Sequence, residues 1–387
     1  MIKAREDVRT IPLLNLRRQT AAIREQLDVA IGKVLDHGQF ILGPEVGALE
    51  ERIAAYCGTR FAVGCASGSD AITLPLMALG IGTGDKVVTV PFTFFATAGS
   101  IALLGATPVF VDIEAETWNM DPLCLGRYLE SLTASELRSV KAIVPVHLFG
   151  QCAEMKPIKE IAGRYGIPVI EDAAQAIGAE YEGRRAGSLG LCGSFSFFPS
   201  KNLGGFGDGG IITTNDAGLA ETLRRLRVHG STVKYRHEVV GVNSRLDSMQ
   251  AAILLVKFGF LEEWTDLRRA NAAAYRERLG GRLAGRVGLP AERNYCRHVY
   301  NQFTLTVPDR DRVRQRLADS GVASDIYYPI PLHLQECFAG LGYKAGDFPC
   351  SEAAAAEVLS IPIDPALTLD ELETVVERLD AAIGAAD

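Results

Sequence analysis

Short apolar runs alternate with longer stretches of helical spacing through the first two-thirds of the chain. Phe61–Cys65, Lys86–Val90, Thr107–Val111, Ala142–Val146 and Pro168–Glu171 read as strands. Between them, Ser67–Leu79, Ala96–Leu104 and Met155–Tyr165 read as helices. Apolar strands alternating with helices predict an α/β domain built on a mainly parallel sheet. Gly193–Phe197 and Gly209–Thr214 add two further strands, and Asp216 starts a basic helix that runs to about Arg227.

Arg245–Leu267 predicts a long, mostly helical segment linking two domains. Beyond Leu279 the pattern changes. Gln302–Val307 reads as a strand, Asp309–Asp319 as a helix and Leu367–Ile383 as a closing helix, which fits a smaller α+β domain. The expected division is a large domain over residues 1–270, with an N-terminal helical segment, and a small domain over 271–387. Pro75 falls inside a predicted helix and should kink or shorten it.

Composition narrows the class. The 387 residues are 48% hydrophobic and 22% charged, as in a soluble globular protein with a substantial core. A formal net charge of −7 argues against a general nucleic-acid binder, though not against a local basic pocket. No run approaches the roughly 20 apolar residues of a membrane span. Met1–Asp7 is charged and lacks the apolar core of a signal peptide, so a cytoplasmic location is expected. Eight cysteines are scattered without a CxxC pair, which predicts buried, reduced thiols and no metal site.

Lys201 stands between the aromatic run Ser194–Phe198 and the glycine-rich turn Gly204–Gly210. Two readings stand: a solvated loop lysine, or an amine held in a pocket. Desolvation would lower its pKa and make it nucleophilic toward a carbonyl. Glu171 and Asp172 end an apolar strand, at the edge where ligands bind in open α/β sheets. A buried acid there needs a cationic or hydrogen-bonding partner, although Asp172 also suits a helix cap. A lysine for a Schiff base and an acid for a ring nitrogen are what pyridoxal 5'-phosphate (PLP) requires. Ser67, Gly68 and Ser69 lie between a strand and a helix, where free N–H groups bind anions, and Gly68 permits close backbone approach. Phe94, in Pro91–Thr97, is either core or a face to stack on a flat ring. The cluster Gly204–Gly210 is followed by a strand and opens no βαβ unit, which argues against a dinucleotide site.

These motifs, with Val146–Gly150 and Asn243–Asp247, occur in an order that resembles the DegT/DnrJ/EryC1/StrS family of PLP-dependent nucleotide-sugar aminotransferases. The resemblance runs from about Leu13 to the final helix. It implies the aspartate-aminotransferase-like fold (fold type I) and a homodimer with shared active sites. By motif position, Lys201 would bind the cofactor covalently and Asp172 would pair with its ring nitrogen. Gln175 would lie near its phenolic oxygen and Phe94 on its face. Ser67, Gly68, Ser69 and Ser196 would hold its phosphate, with Asn243 reaching that phosphate across subunits. Some relatives carry histidine at the lysine position and act as dehydratases, so Lys201 implies amino transfer.

The same resemblance implies L-glutamate as amine donor and a nucleotide-linked keto sugar as acceptor, the 3-keto form being the closer fit and the 4-keto form the alternative. Arg236 and His237 are candidates to meet the diphosphate, or belong to a solvated charge cluster. Tyr327 and His333 fall in a run that resembles the family's sugar-side loop. Asn301 replaces a histidine frequent in the family. A catalytically silent PLP-binding regulator is the reading from another class.

Overall fold

The computed structural model describes residues 10–384; Met1–Asp7, where the absence of a signal peptide was read, lie outside the described residues. Seven strands form the central sheet. They are β1 (Phe61–Cys65), β2 (Lys86–Thr89), β3 (Thr107–Phe110), β4 (Val140–Ile143), β5 (Ile170–Asp172), β6 (Cys192–Ser196) and β7 (Gly210–Thr214). Their order is β3-β2-β4-β5-β6-β7-β1, with β4 joined to β5 through the parallel bridges Ile143–Val169 and Val146–Asp172. Only β7 runs against its neighbours, so the sheet is mainly parallel, as predicted.

Alternation along the strands explains why both faces are covered. Val87, Ala142 and Ile212 pack into one core, while Val88, Ile143 and Ile211 pack into another on the opposite face. The helix α1 (Gly68–Ala78) covers the first face. The helix continues through Pro75 to Ala78 and is not shortened there. A proline leaves the carbonyl four residues back without its helical donor. Here that carbonyl belongs to Ala71, and the Ser194 hydroxyl of β6 donates to it at 2.6 Å. A strand side chain thus replaces the missing backbone bond and pins α1 to the sheet.

The single helix predicted over Arg245–Leu267 is two. Asp247 caps α2 (Ser248–Phe258) by accepting from Gln250 N–H at 2.7 Å, and α3 (Leu261–Arg282) follows after a break at Gly259–Phe260. α3 passes through position 270. Its buried Arg268 donates to the carbonyl of Ile363 at 2.6 Å. The C-terminal part pairs β8 (Phe303–Thr306) antiparallel with β9 (Val358–Ile361), flanked by the helices Arg310–Asp319 and Leu369–Gly384. β9 was not foreseen, because the four residues Val358, Leu359, Ser360 and Ile361, directly after an alanine-rich helix, are too short a run to carry a separate periodic signal. All eight cysteines are free. No described helix is long and apolar enough to cross a membrane.

Candidate active site

Because β1, β2, β4, β5 and β6 are parallel, their carboxyl ends share one edge. The segments that follow them are Ser67–Asp70, Pro91–Thr97, His147–Gly150, Ala173–Gln175 and Phe197–Gly205. Parallel topology therefore collects motifs scattered over more than a hundred residues.

Glu171 and Asp172 take different roles because adjacent strand residues face opposite sides. Glu171 is fully buried among N–H donors. It accepts from Gly187, Leu189 and Gly190, each at 2.7 Å, and lies 3.0 Å from His147 Nε2. His147 Nδ1 accepts from Ala153 N–H at 3.1 Å, so Nε2 carries the ring proton and donates to Glu171. This acid is a structural anchor. Asp172 is also buried, but its neighbours are Thr97, which donates to Oδ2 at 2.7 Å, and Ala174 N–H, at 3.2 Å from Oδ1. Burial raises its pKa, against the pull of Thr97, Ala174, Lys201 and His147.

Lys201 is half-buried, and burial pulls its amine from 10.5 to about 8, with Asp172 opposing. The solvated-loop reading does not describe it. Its backbone sits in a tight turn, where Lys201 N–H donates to Phe198 at 2.9 Å and Gly205 N–H to Phe197 at 2.7 Å. A Cβ on Gly204 would come within 2.3 Å of the Pro199 carbonyl, so that close approach needs glycine. α2 holds the turn from behind. Gln250 Oε1 accepts from Phe206 N–H at 2.7 Å, and the buried Lys257 ammonium donates to the Gly204 carbonyl. Burial lowers Lys257 to about 8 as well, helped by Arg268.

The candidate anion cup lies at the start of α1. The Ser67 hydroxyl caps the helix by accepting from Asp70 N–H at 3.1 Å. The helix start leaves N–H groups without intrahelical partners. A Cβ on Gly68 would meet Ser196 Cβ at 2.6 Å, so glycine lets Ser67–Ser69 and Ser196 converge. Ser244, buried beside Asn243, accepts from Ala66 N–H at 3.1 Å and donates to Asp70 at 2.7 Å, tying the Asn243–Asp247 motif to the cup.

Phe94 is 57% exposed, with its ring 6.0 Å from that of Tyr328. Gln175 accepts from Phe149 N–H at 2.6 Å and donates to the Tyr328 hydroxyl at 2.9 Å. Phe149 takes a positive φ of 58°, held by that bond and by Asn301 N–H donating to its carbonyl at 2.9 Å.

The substrate candidates scatter. Tyr327 lines a cavity of about 70 Å³ with Ser200, Asn301 and Gln302, next to the Lys201 turn. His333 is 1% exposed, 3.1 Å from Glu352 and edge-on to Phe348, inside a closed aromatic cluster. Arg236 and His237 stand on the exposed hairpin Ser231–Val233/Arg236–His237. Among the described residues no hydrogen bond or ion pair ties them to Lys201 or Asp172. Asn243 is exposed, at a backbone bridge to Val228. Tyr328 falls in the run that resembles the sugar-side loop, whereas Thr97, Ser244 and Lys257 were not singled out as site residues. Thr97 and Ser244 lie inside quoted motifs; Lys257 carries no local signal at all.

A mainly parallel sheet with a pocketed lysine, a buried acid and an anion cup at its carboxyl edge is the layout of an aspartate-aminotransferase-like enzyme. The chain belongs to the DegT/DnrJ/EryC1/StrS aminotransferase family, whose profile matches residues 21–380. It is 49% identical to a pleiotropic regulatory protein of Geobacillus stearothermophilus, covering 95% of this chain and 97% of that one. It is 44% identical to the UDP-2-acetamido-2-deoxy-3-oxo-D-glucuronate aminotransferase of Pseudomonas aeruginosa, covering 95% and 99%. The solved structure of Streptomyces venezuelae DesV superposes with a TM-score of 0.92 at 41% identity, covering 98% and 100%.

Proposed function

We propose that this protein is a PLP-dependent aminotransferase that converts a nucleotide-linked keto sugar to the amino sugar. The observation that carries it is the convergence at one sheet edge of Lys201 in its tight turn, buried Asp172 as its charged neighbour, and Ser67–Ser69 with Ser196. The residues suit the cofactor: a cup for a phosphate, a buried carboxylate for a ring nitrogen and the open face of Phe94 for the ring. A solved relative 32% identical to this chain is described with the amino form of this cofactor bound.

When bound, PLP supplies an electron sink for charge left on a carbon that loses a proton. The chain's own residues do the rest. Lys201 Nζ, neutral in a substantial fraction near pH 8, accepts and returns a proton at the donor's α-carbon. Asp172, ionised, keeps a proton on the ring nitrogen. Ser67, Gly68, Ser69 and Ser196 hold the phosphate, with Asn243 of a second copy completing the cup. Gln175, hydrogen-bonded to Tyr328, would lie near the cofactor's phenolic oxygen. The amine donor is L-glutamate, and 3-keto sugars are the preferred acceptors, as the P. aeruginosa relative's name supports. The working unit is a cytoplasmic homodimer, each chain divided into residues 1–270 and 271–387, whose exposed hairpin carries Arg236 and His237 toward the diphosphate; Tyr327 faces the sugar side, while His333, in the same loop, stays enclosed by Phe348 and Glu352.

The test is direct. Purified protein with PLP should absorb in the visible and be bleached by glutamate. Glutamate-dependent amination of UDP- and dTDP-linked 3-keto and 4-keto sugars then ranks the acceptors. A protein that takes up no PLP would sink the proposal. The Geobacillus relative's name favours a second reading, a silent regulator, which predicts PLP uptake without bleaching by any amino acid.

A further inference from the structure

The loop Pro91–Thr97 does two things at once. Phe94 is turned outward, whereas Thr93 and Thr97 are buried behind it. Their hydroxyl oxygens lie 3.1 Å apart, and Thr97 Oγ1 lies 2.7 Å from Asp172 Oδ2. Proton counting sets the direction of this chain. An ionised carboxylate only accepts, and each threonine owns one hydroxyl proton. Thr97 therefore donates to Asp172, and Thr93 donates to Thr97.

A threonine near a helix start has an easier partner. In this protein Thr73 and Thr265 turn their hydroxyls to the carbonyl four residues back, at 3.0 and 2.7 Å. Thr97 turns to the acid instead. Its own N–H donates to the Phe94 carbonyl at 3.2 Å, which curls the loop so that both hydroxyls face the sheet.

We propose that Thr97, backed by Thr93, is a positioning residue for Asp172: the ordered hydroxyl pair orients the carboxylate and keeps it ionised toward the ring nitrogen of bound PLP. This rests on Asp172 being the ring-nitrogen partner. Thr97 is the strongest of the influences that oppose the effect of burial on Asp172, ahead of Ala174 N–H, Lys201 and His147. Tyr328 also faces this acid, and its phenol is pushed up mainly by burial and next by Asp172. Glu171, adjacent in sequence, is turned away into His147 and the 187–190 backbone.

The variants are Thr97→Val, which keeps shape and removes the hydroxyl, Thr97→Ser, which restores it, and Thr93→Val. PLP uptake by the full chain is followed by visible absorbance across pH. In T97V the dissociation constant should rise about tenfold, and the pH at which bound cofactor is lost on acidification should move up by about one unit, the equivalent shift. T97S should restore both, and T93V should give a smaller shift of the same sign. A second readout needs no cofactor. The melting-temperature gap between T97V and wild type should widen as pH rises through the titration of Asp172, because only the ionised acid needs the donor. A gap constant with pH would mark a merely structural threonine and overturn the proposal. So would unchanged PLP binding in T97V, or failure of T97S to rescue. Wild-type protein that binds no PLP while the pH-dependent gap persists would count against the cofactor assignment, not against the coupling of Thr97 to Asp172.

Discussion

Two regions of this molecule are built on opposite terms. Around Lys201 and Asp172 the polar groups are buried and tied to named partners: Thr97, Ala174, Gln250, Ser194. In the arm that follows β7 and its helix, Tyr235 is 85% exposed and Val240 91%, beside the cations Lys234 and Arg236. Gly230 fixes the base of that arm, since a Cβ there would fall 1.7 Å from the Val239 carbonyl. Its apolar tip faces solvent. The difference teaches that one chain preorganises most of the proposed cofactor side, all but the Asn243 contact, while the proposed substrate side needs cover from elsewhere. Apolar clusters exposed to this degree mark interaction surfaces.

The largest test of that contrast is Lys201→Ala, which should lower amino transfer by at least about a thousandfold while the cofactor-free protein still folds cooperatively. Breaking the other region should act differently. Val240→Asp should split the proposed dimer in sedimentation or scattering and lower activity by about tenfold or more, with Asp172 and its partners undisturbed inside each chain. Arg236→Ala should raise KM for the nucleotide sugar about tenfold with little change in kcat, since it removes binding shared by ground and transition states. Equal losses in kcat and kcat/KM would move Arg236 to the cofactor side.

Smaller effects probe how the cofactor side is held. Ser194→Ala strips the Ala71 carbonyl of its donor, so unfolding should cost about 1–3 kcal/mol less. A neutral result would mean that water replaces the hydroxyl. The smallest is a pH effect in the cofactor-free protein. Lys201 has its pKa lowered from 10.5 to about 8, so a charged amine is unfavourable in the fold below pH 8. Replacing it by methionine should stabilise the protein most below pH 8. That gain should shrink between pH 8 and 10.5, where the unfolded chain also loses its proton. A gain independent of pH would mean the amine is solvated after all.

The motifs themselves were legible because their residue types are rare in combination. Lys201 between aromatics and glycines, Asp172 at a strand end and serines before a helix each carry a local chemical reason. Less was legible where an element's fate depends on a distant partner. Pro75 reads as a helix breaker, and only Ser194, far along the chain, makes it tolerable. The helix over Arg245–Leu267 breaks at Gly259–Phe260, and Val358–Ile361 becomes a strand because Phe303–Thr306 lies beside it. His333 reads as a ligand residue and is enclosed by Phe348 and Glu352.

The sequence alone determined the class of fold, through apolar strands alternating with helices, and the family of chemistry, through a lysine, an acid and an anion cup in fixed order. Periodicity and residue type are local properties, so they survive in one dimension. Tertiary structure alone decided what the adjacent Glu171 does, since the pleat turns it away from Asp172's side into His147 and the 187–190 backbone. It decided too that Thr97, Ser244 and Lys257 stand behind the site. Their roles exist only as distances between parts of the chain that the sequence keeps apart.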